Sequence, residues 1–219
     1  MRLNMTQGKA PGLLITFCGL DGCGKTTMIH MLHRYLEHMG HRLMLTKQPT
    51  DFVRQSDIFR NFMDQPDHDA YDYRALSLLA ASDRVQHTNR VIRPAIEEGM
   101  TVLSDRYFYS CLANLRARGY QDDAWIYEVA QSILMPDLSF FLDVPVPTAI
   151  QRVRSRPLER ERYIDEGLQY RLREEYLRIA GENDGVVLDA TRDIDETFSI
   201  VCQAVEKKLP SQWRKAAYV

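Results

Sequence analysis

The octapeptide Gly19-Leu20-Asp21-Gly22-Cys23-Gly24-Lys25-Thr26 constrains this chain more than any other stretch, because it lies between an apolar run and a helical pattern. Leu13 to Cys18 is short, apolar and without alternation, which suits a strand buried on both faces. Thr26 to Met39 then places Ile29, Leu32, His33 and Leu36 at helical spacing and stops at Gly40. The glycine-rich turn between them fits G-x-x-x-x-G-K-[ST], a loop whose backbone wraps closely around phosphate. Glycine is needed where a Cβ would collide and where the dihedrals are costly for other residues. The loop amides and the positive end of the helix dipole then face an anion. Lys25 would reach the β and γ phosphates as a point charge, and the Thr26 hydroxyl would meet Mg²⁺.

Downstream, short apolar runs alternate with helical patterns. Strands are expected over Arg42 to Thr46, Thr101 to Ser104, Leu138 to Leu142 and Val186 to Leu188. Helices are expected over Tyr71 to Glu98, with Pro94 a break or a new start, and over Asp123 to Leu134, Pro147 to Arg156, Glu166 to Ala180 and Ile194 to Leu209. This alternation predicts a three-layer α/β fold: five parallel strands with helices on both faces. Pro49 to Asp72 reads as a substrate-facing excursion containing a helix. Residues 1–12 are expected as an N-terminal tail, 13–209 as one domain, and 210–219 as a C-terminal tail.

A net charge of -2 spread over 219 residues argues against a nucleic-acid binder, so any phosphate site must be local. Cys18, Cys23, Cys111 and Cys202 show no metal-ligand spacing and read as reduced thiols. With no apolar leader in Met1 to Pro11 and no run long enough to span a bilayer, a cytoplasmic protein without membrane contact is expected.

A second cluster supports the first. Asp105 follows the strand Thr101 to Ser104 and is placed to hold Mg²⁺, directly or through water, at the mouth where parallel sheets bind ligands. Arg106 faces the same mouth.

From about Leu13 to Glu206 the chain resembles the thymidylate kinase family of P-loop nucleoside monophosphate kinases. Besides the phosphate loop, the resemblance rests on Leu79 to His87, Asp105-Arg106-Tyr107 with Ser110 and Ala113, Pro136-Asp137-Leu138, and Leu142-Asp143-Val144. Arg154 to Arg162, Arg171 to Ala180 and Val187 to Ala190 complete it, in the family's order. It implies ATP, with Mg²⁺, on Gly19, Asp21, Gly22, Cys23, Gly24, Lys25, Thr26 and Thr27, and the donor adenine bordered by Ala190 to Arg192. It implies an acceptor nucleotide near Asp21, Lys47, Pro49, Arg84, Arg106, Ser110 and Asn114, and a homodimer. Asp21 would meet the sugar hydroxyl, Lys47 and Arg106 the acceptor phosphate, and Arg84 the base.

Transfer to dTMP is the leading expectation. A kinase of a modified nucleotide or another small phosphorylated metabolite is the alternative, and a nucleotide-binding protein without kinase activity the third. The family places an arginine either beside the loop's Asp or in a mobile lid. Gly22 follows Asp21 here, which resembles the lid layout, with the lid at about residues 152–165. Arg160 is then the first choice for the transferred charge, with Arg154 and Arg156 next.

Three departures bear on the acceptor. Lys47-Gln48-Pro49 stands where the family usually has Arg-Glu-Pro, exchanging a forked clamp for a point charge. Ala80 occupies the place of the ring that stacks on thymine, and Ala113-Asn114-Leu115 that of Ala-Tyr-Gln. Phe52, Phe59, Phe62, Tyr71, Phe108 and Tyr109 are the candidates for a replacement ring.

Overall fold

A computed structural model describes residues 1–209 apart from Lys9 and Asp69. The stretch from Pro210 to Val219, expected as a tail, lies outside the described residues. Five strands form one parallel sheet: β1 (Leu14–Gly19), β2 (Leu43–Lys47), β3 (Thr101–Asp105), β4 (Leu138–Asp143) and β5 (Val186–Asp189), in the order β2-β3-β1-β4-β5. β1 is central and buried along all six residues, as an unalternating apolar run must be when helices cover both faces. Phe17 stacks on Phe140 across the β1–β4 pair with ring centroids 5.1 Å apart.

Ten helices connect and cover the sheet among the described residues. They are α1 (Lys25–His38), α2 (Asp51–Arg54), α3 (Asp57–Asp64), α4 (Tyr73–His87), α5 (Arg93–Glu97), α6 (Phe108–Ala117), α7 (Trp125–Ala130), α8 (Val146–Arg154), α9 (Glu166–Glu182) and α10 (Ile194–Lys208). The helix expected across Tyr71 to Glu98 is continuous but changes pitch. A π-helical turn at Thr88–Ile92 precedes α5, whose first turn holds Pro94. A wider turn there absorbs the bond that a proline cannot donate.

One helix, α6, was not expected, and one expectation needed correction. α6 carries no amphipathic stripe because it is buried nearly all round, Phe108, Tyr109, Leu112, Ala113 and Leu115 included, so periodicity does not reveal it. The helix expected over Asp123 to Leu134 stops at Ala130, since Ile133 and Met135 exchange backbone hydrogen bonds with Thr6. The same pairing draws the first residues inward: Leu3 and Met5 are buried, and the N-terminal ammonium meets Glu182.

Candidate active site

The strands end together at one edge of the sheet, and the loops beyond β1, β2 and β3 meet there around a cleft of about 680 Å³. Its floor is the turn between β1 and α1. Gly22, at φ +83°, passes so close to α8 that a Cβ would lie 2.2 Å from the Ala149 carbonyl oxygen, and Gly24 caps α1 at φ +103°. α1 begins with no side-chain cap and no acidic residue in its first turn, which leaves its first N–H groups open toward an anion. Lys25 is buried, and its Nζ donates to the carbonyls of Leu20 (2.8 Å) and Gly19 (3.3 Å), drawing its charge over the loop.

Asp21 stands at the centre. Its Oδ1 accepts from Arg106 at 2.5 Å and its Oδ2 from Arg162 at 2.8 Å. Burial pushes the Asp21 carboxyl up, but the charges of Arg106, Lys25 and Arg162 outweigh that and hold it well below the usual carboxylate range. Arg106 adopts a left-handed backbone at φ +69°, rare for a residue with a Cβ, with its N–H bonded to the Phe17 carbonyl. That conformation turns its guanidinium from the end of β3 back over the loop after β1. Tyr176 of α9 fixes the other side of the fork, accepting from Arg106 at 2.8 Å and donating to the Ser110 hydroxyl at 3.0 Å.

The pair of positions suggested for a cation also converges on the cleft. Asp105 has one buried carboxylate oxygen, Oδ1, without a hydrogen-bond partner, while its Oδ2 lies 3.9 Å from Lys47. Thr26 is exposed on the same cleft. A hard cation that keeps several waters suits this sparse oxygen set, and among the described residues no group of three His, Cys, Asp or Glu gathers as a dedicated metal cage. Gln48, by contrast, is fully buried and does not line the cleft.

At the far end, α4 contributes Tyr73, Ala80 and Arg84 from one face, and α6 contributes Ser110, Asn114 and Arg118. Arg84 is spent on backbone carbonyls, donating to Ala80 at 2.9 Å and Tyr107 at 3.3 Å. Asn114 accepts from Arg118 at 2.9 Å, and the Arg118 guanidinium lies 3.9 Å over the Tyr73 ring. Of the candidate rings, Phe59 and Phe62 line the cleft, joined by Tyr73 and Tyr163. Phe52 and Tyr71 are exposed outside it, and Phe108 and Tyr109 belong to the core.

Among the lid arginines, Arg156 and Arg162 line the cleft and share Glu159 as partner, whereas Arg160 is exposed and outside it. Arg154 ends α8 on a different groove, beside Tyr170. The lid arginines lining the cleft are therefore Arg156, the second choice, and Arg162, while Arg160, the first choice, is not among its lining residues. The short 3₁₀ turn Pro157–Glu159 breaks the helical register from which spacing arguments work, so arginines two residues apart face different ways. Arg192 pairs with Asp189 and lies outside the cleft, and Gly19 and Cys23 sit behind it. Pro49, Lys47 and Thr27 do line it. Sequence reasoning missed Tyr176, Arg118, Tyr73 and Arg54, whose only signal was membership of segments that also read as packing helices or loop.

A glycine loop with a buried lysine, opening a helix at the carboxyl edge of a parallel sheet beneath an arginine-bearing lid, defines a P-loop phosphotransferase. A family model described as thymidylate kinase matches residues 17–201. A probable thymidylate kinase of Thermococcus gammatolerans is 33% identical over 91% of this chain and 99% of its own length. That of Pyrococcus horikoshii is 35% identical over 90% and 98%. A thymidylate kinase of Geobacillus sp. is 33% identical over 89% and 96%. The chain belongs to the thymidylate kinase family.

Proposed function

We propose that this protein transfers the γ-phosphoryl of ATP to dTMP, yielding dTDP and ADP. The observation that carries the reading is one continuous cleft running from the Lys25 loop, past the Asp21–Arg106 pair, to a pocket lined by Phe62, Tyr73 and Arg84. It offers a polyphosphate seat, a phosphate-sized cationic middle and an aromatic end in the order that donor and acceptor require. The thymidylate kinase names of the relatives supply the acceptor.

The loop amides and Lys25 bind the donor phosphates, and Lys47 and Arg106 hold the acceptor phosphate in line with them. An oxygen of the acceptor phosphate bonds to the γ-phosphorus as the bond to the β,γ-bridging oxygen breaks. That acceptor oxygen is already ionised near neutral pH, so no strong general base is required. Asp21 keeps Arg106 aimed, and Arg162 on the 152–165 lid neutralises charge on the transferred group and helps exclude water. Thr26 and Asp105 would hold Mg²⁺, which would neutralise charge on the donor phosphates.

An ADP-release assay over a panel of nucleoside monophosphates tests the reading. The highest kcat/KM is expected for dTMP; another monophosphate turned over tenfold more efficiently overturns it. A cytoplasmic homodimer completes the proposal on the family resemblance, and light scattering should give twice the chain mass; a monomer mass would remove that part.

A further inference from the structure

We propose that Arg54 is an additional substrate-binding residue, contacting the phosphate of the acceptor and restoring the planar fork that Lys47 does not supply. The inference rests on the nucleotide-kinase reading above and deepens it.

Arg54 closes the short helix α2, directly after the loop that leaves β2. That helix is pinned rather than free: the backbone N–H and hydroxyl of Thr50, just before it, both donate to the Asp83 carboxylate, and Val53 is fully buried. The Arg54 Nε donates to the Pro49 carbonyl at 2.7 Å, and its Cζ lies 6.0 Å from the Phe59 ring. One side of the guanidinium is therefore used to orient it. The two terminal nitrogens, which would form the fork, carry no hydrogen bond among the described residues, and no carboxylate there pairs with it.

Arg54 lines the cleft with Lys47, Arg84 and Arg106. Arg84 is spent on two carbonyls, and Arg106 is already held by Asp21 and Tyr176, so it meets the phosphate only with its remaining N–H groups. Lys47 lies only loosely beside Asp105. Burial first, and then the charge of Arg106, pull the Arg54 guanidinium below its ordinary value, and burial and the charge of Arg54 do the same to Lys47. Cations gathered with too few carboxylates repel one another until an anion joins them. A planar fork presents two parallel donors to a phosphate, where an ammonium is a point charge.

The test compares Arg54→Gln, Arg54→Lys and wild type for equilibrium binding of dTMP, thymidine and inorganic phosphate, and for KM of ATP. Arg54→Gln should weaken dTMP and inorganic phosphate about tenfold or more, the loss of roughly one charge-assisted pair. Thymidine binding and the KM of ATP should change less than about twofold, and Arg54→Lys should recover part of the loss. Equal weakening of thymidine and dTMP would mean a structural role at the Pro49 turn and overturn the proposal, as would undiminished phosphate binding. Phosphate binding that depends on Arg54 in a protein indifferent to dTMP would sink the acceptor assignment and keep this one. Wild type that binds neither phosphate nor dTMP overturns both.

Discussion

Replacing Lys25 with alanine is expected to lower kcat by at least about a thousandfold, some 4 kcal/mol of barrier, while leaving the fold intact. Phosphoryl transfer spreads charge over oxygens that do little covalent work with the protein, so a positioned cation contributes through electrostatics alone. Lys25 is well placed for this, being buried and drawn over the loop by the Leu20 and Gly19 carbonyls. Those carbonyls lose a partner in the variant, so circular dichroism and a melting curve must accompany the kinetics. Lys25→Met, which keeps most of the stem, separates lost charge from lost packing. Wild-type turnover by either folded variant would remove the loop from the mechanism.

Arg162→Ala is expected to lower kcat by about a hundredfold or more, and Arg160→Ala by less than about threefold. The contrast follows from distance and screening: a charge aimed into a sheltered cleft acts on the transferred group, and one in bulk water is largely screened. Arg162 meets Asp21 at 2.8 Å and Glu159 at 3.2 Å, whereas Arg160 is exposed. Arg162→Lys should recover only part of the rate, because an ammonium does not reproduce a fork that spans two oxygens. Single-turnover measurements isolate the chemical step from product release. A larger loss for Arg160→Ala than for Arg162→Ala would reverse the assignment.

The parallel sheet was legible because each strand is a short apolar run and each crossover a helical pattern, two signals that reinforce each other along β1, α1 and β3. α6 was not, because a helix buried on nearly all sides looks like any apolar stretch until something packs around it. The site divides in the same way. Gly22, Gly24, Lys25, Thr26 and Asp105 could be placed from local order, since backbone chemistry within a few residues dictates their arrangement. Tyr176 could not: it is 70 residues from Arg106, and nothing near it in the chain hints at that hydrogen bond.

The departures at Lys47, Ala80 and Asn114 follow the same rule. Each is visible as an exchange of residue type, but the side chains that gather around it come from elsewhere in the chain. Phe62 and Tyr73 reach the pocket from α3 and α4 and meet edge to face at 5.1 Å. Arg54 reaches the cationic middle because Asp83 on α4 ties down the turn before α2.

The amino-acid sequence by itself determined the phosphate loop, the order of the strands, and the family, because these depend on patterns that neighbouring residues write together. Only the tertiary structure decided which arginines of the lid line the cleft, which rings line its far end, and how Arg54 is brought in beside Lys47 and Arg106. Those are questions of where side chains from distant segments point, and a periodicity of 2 or 3.6 residues says nothing about that once a turn has intervened.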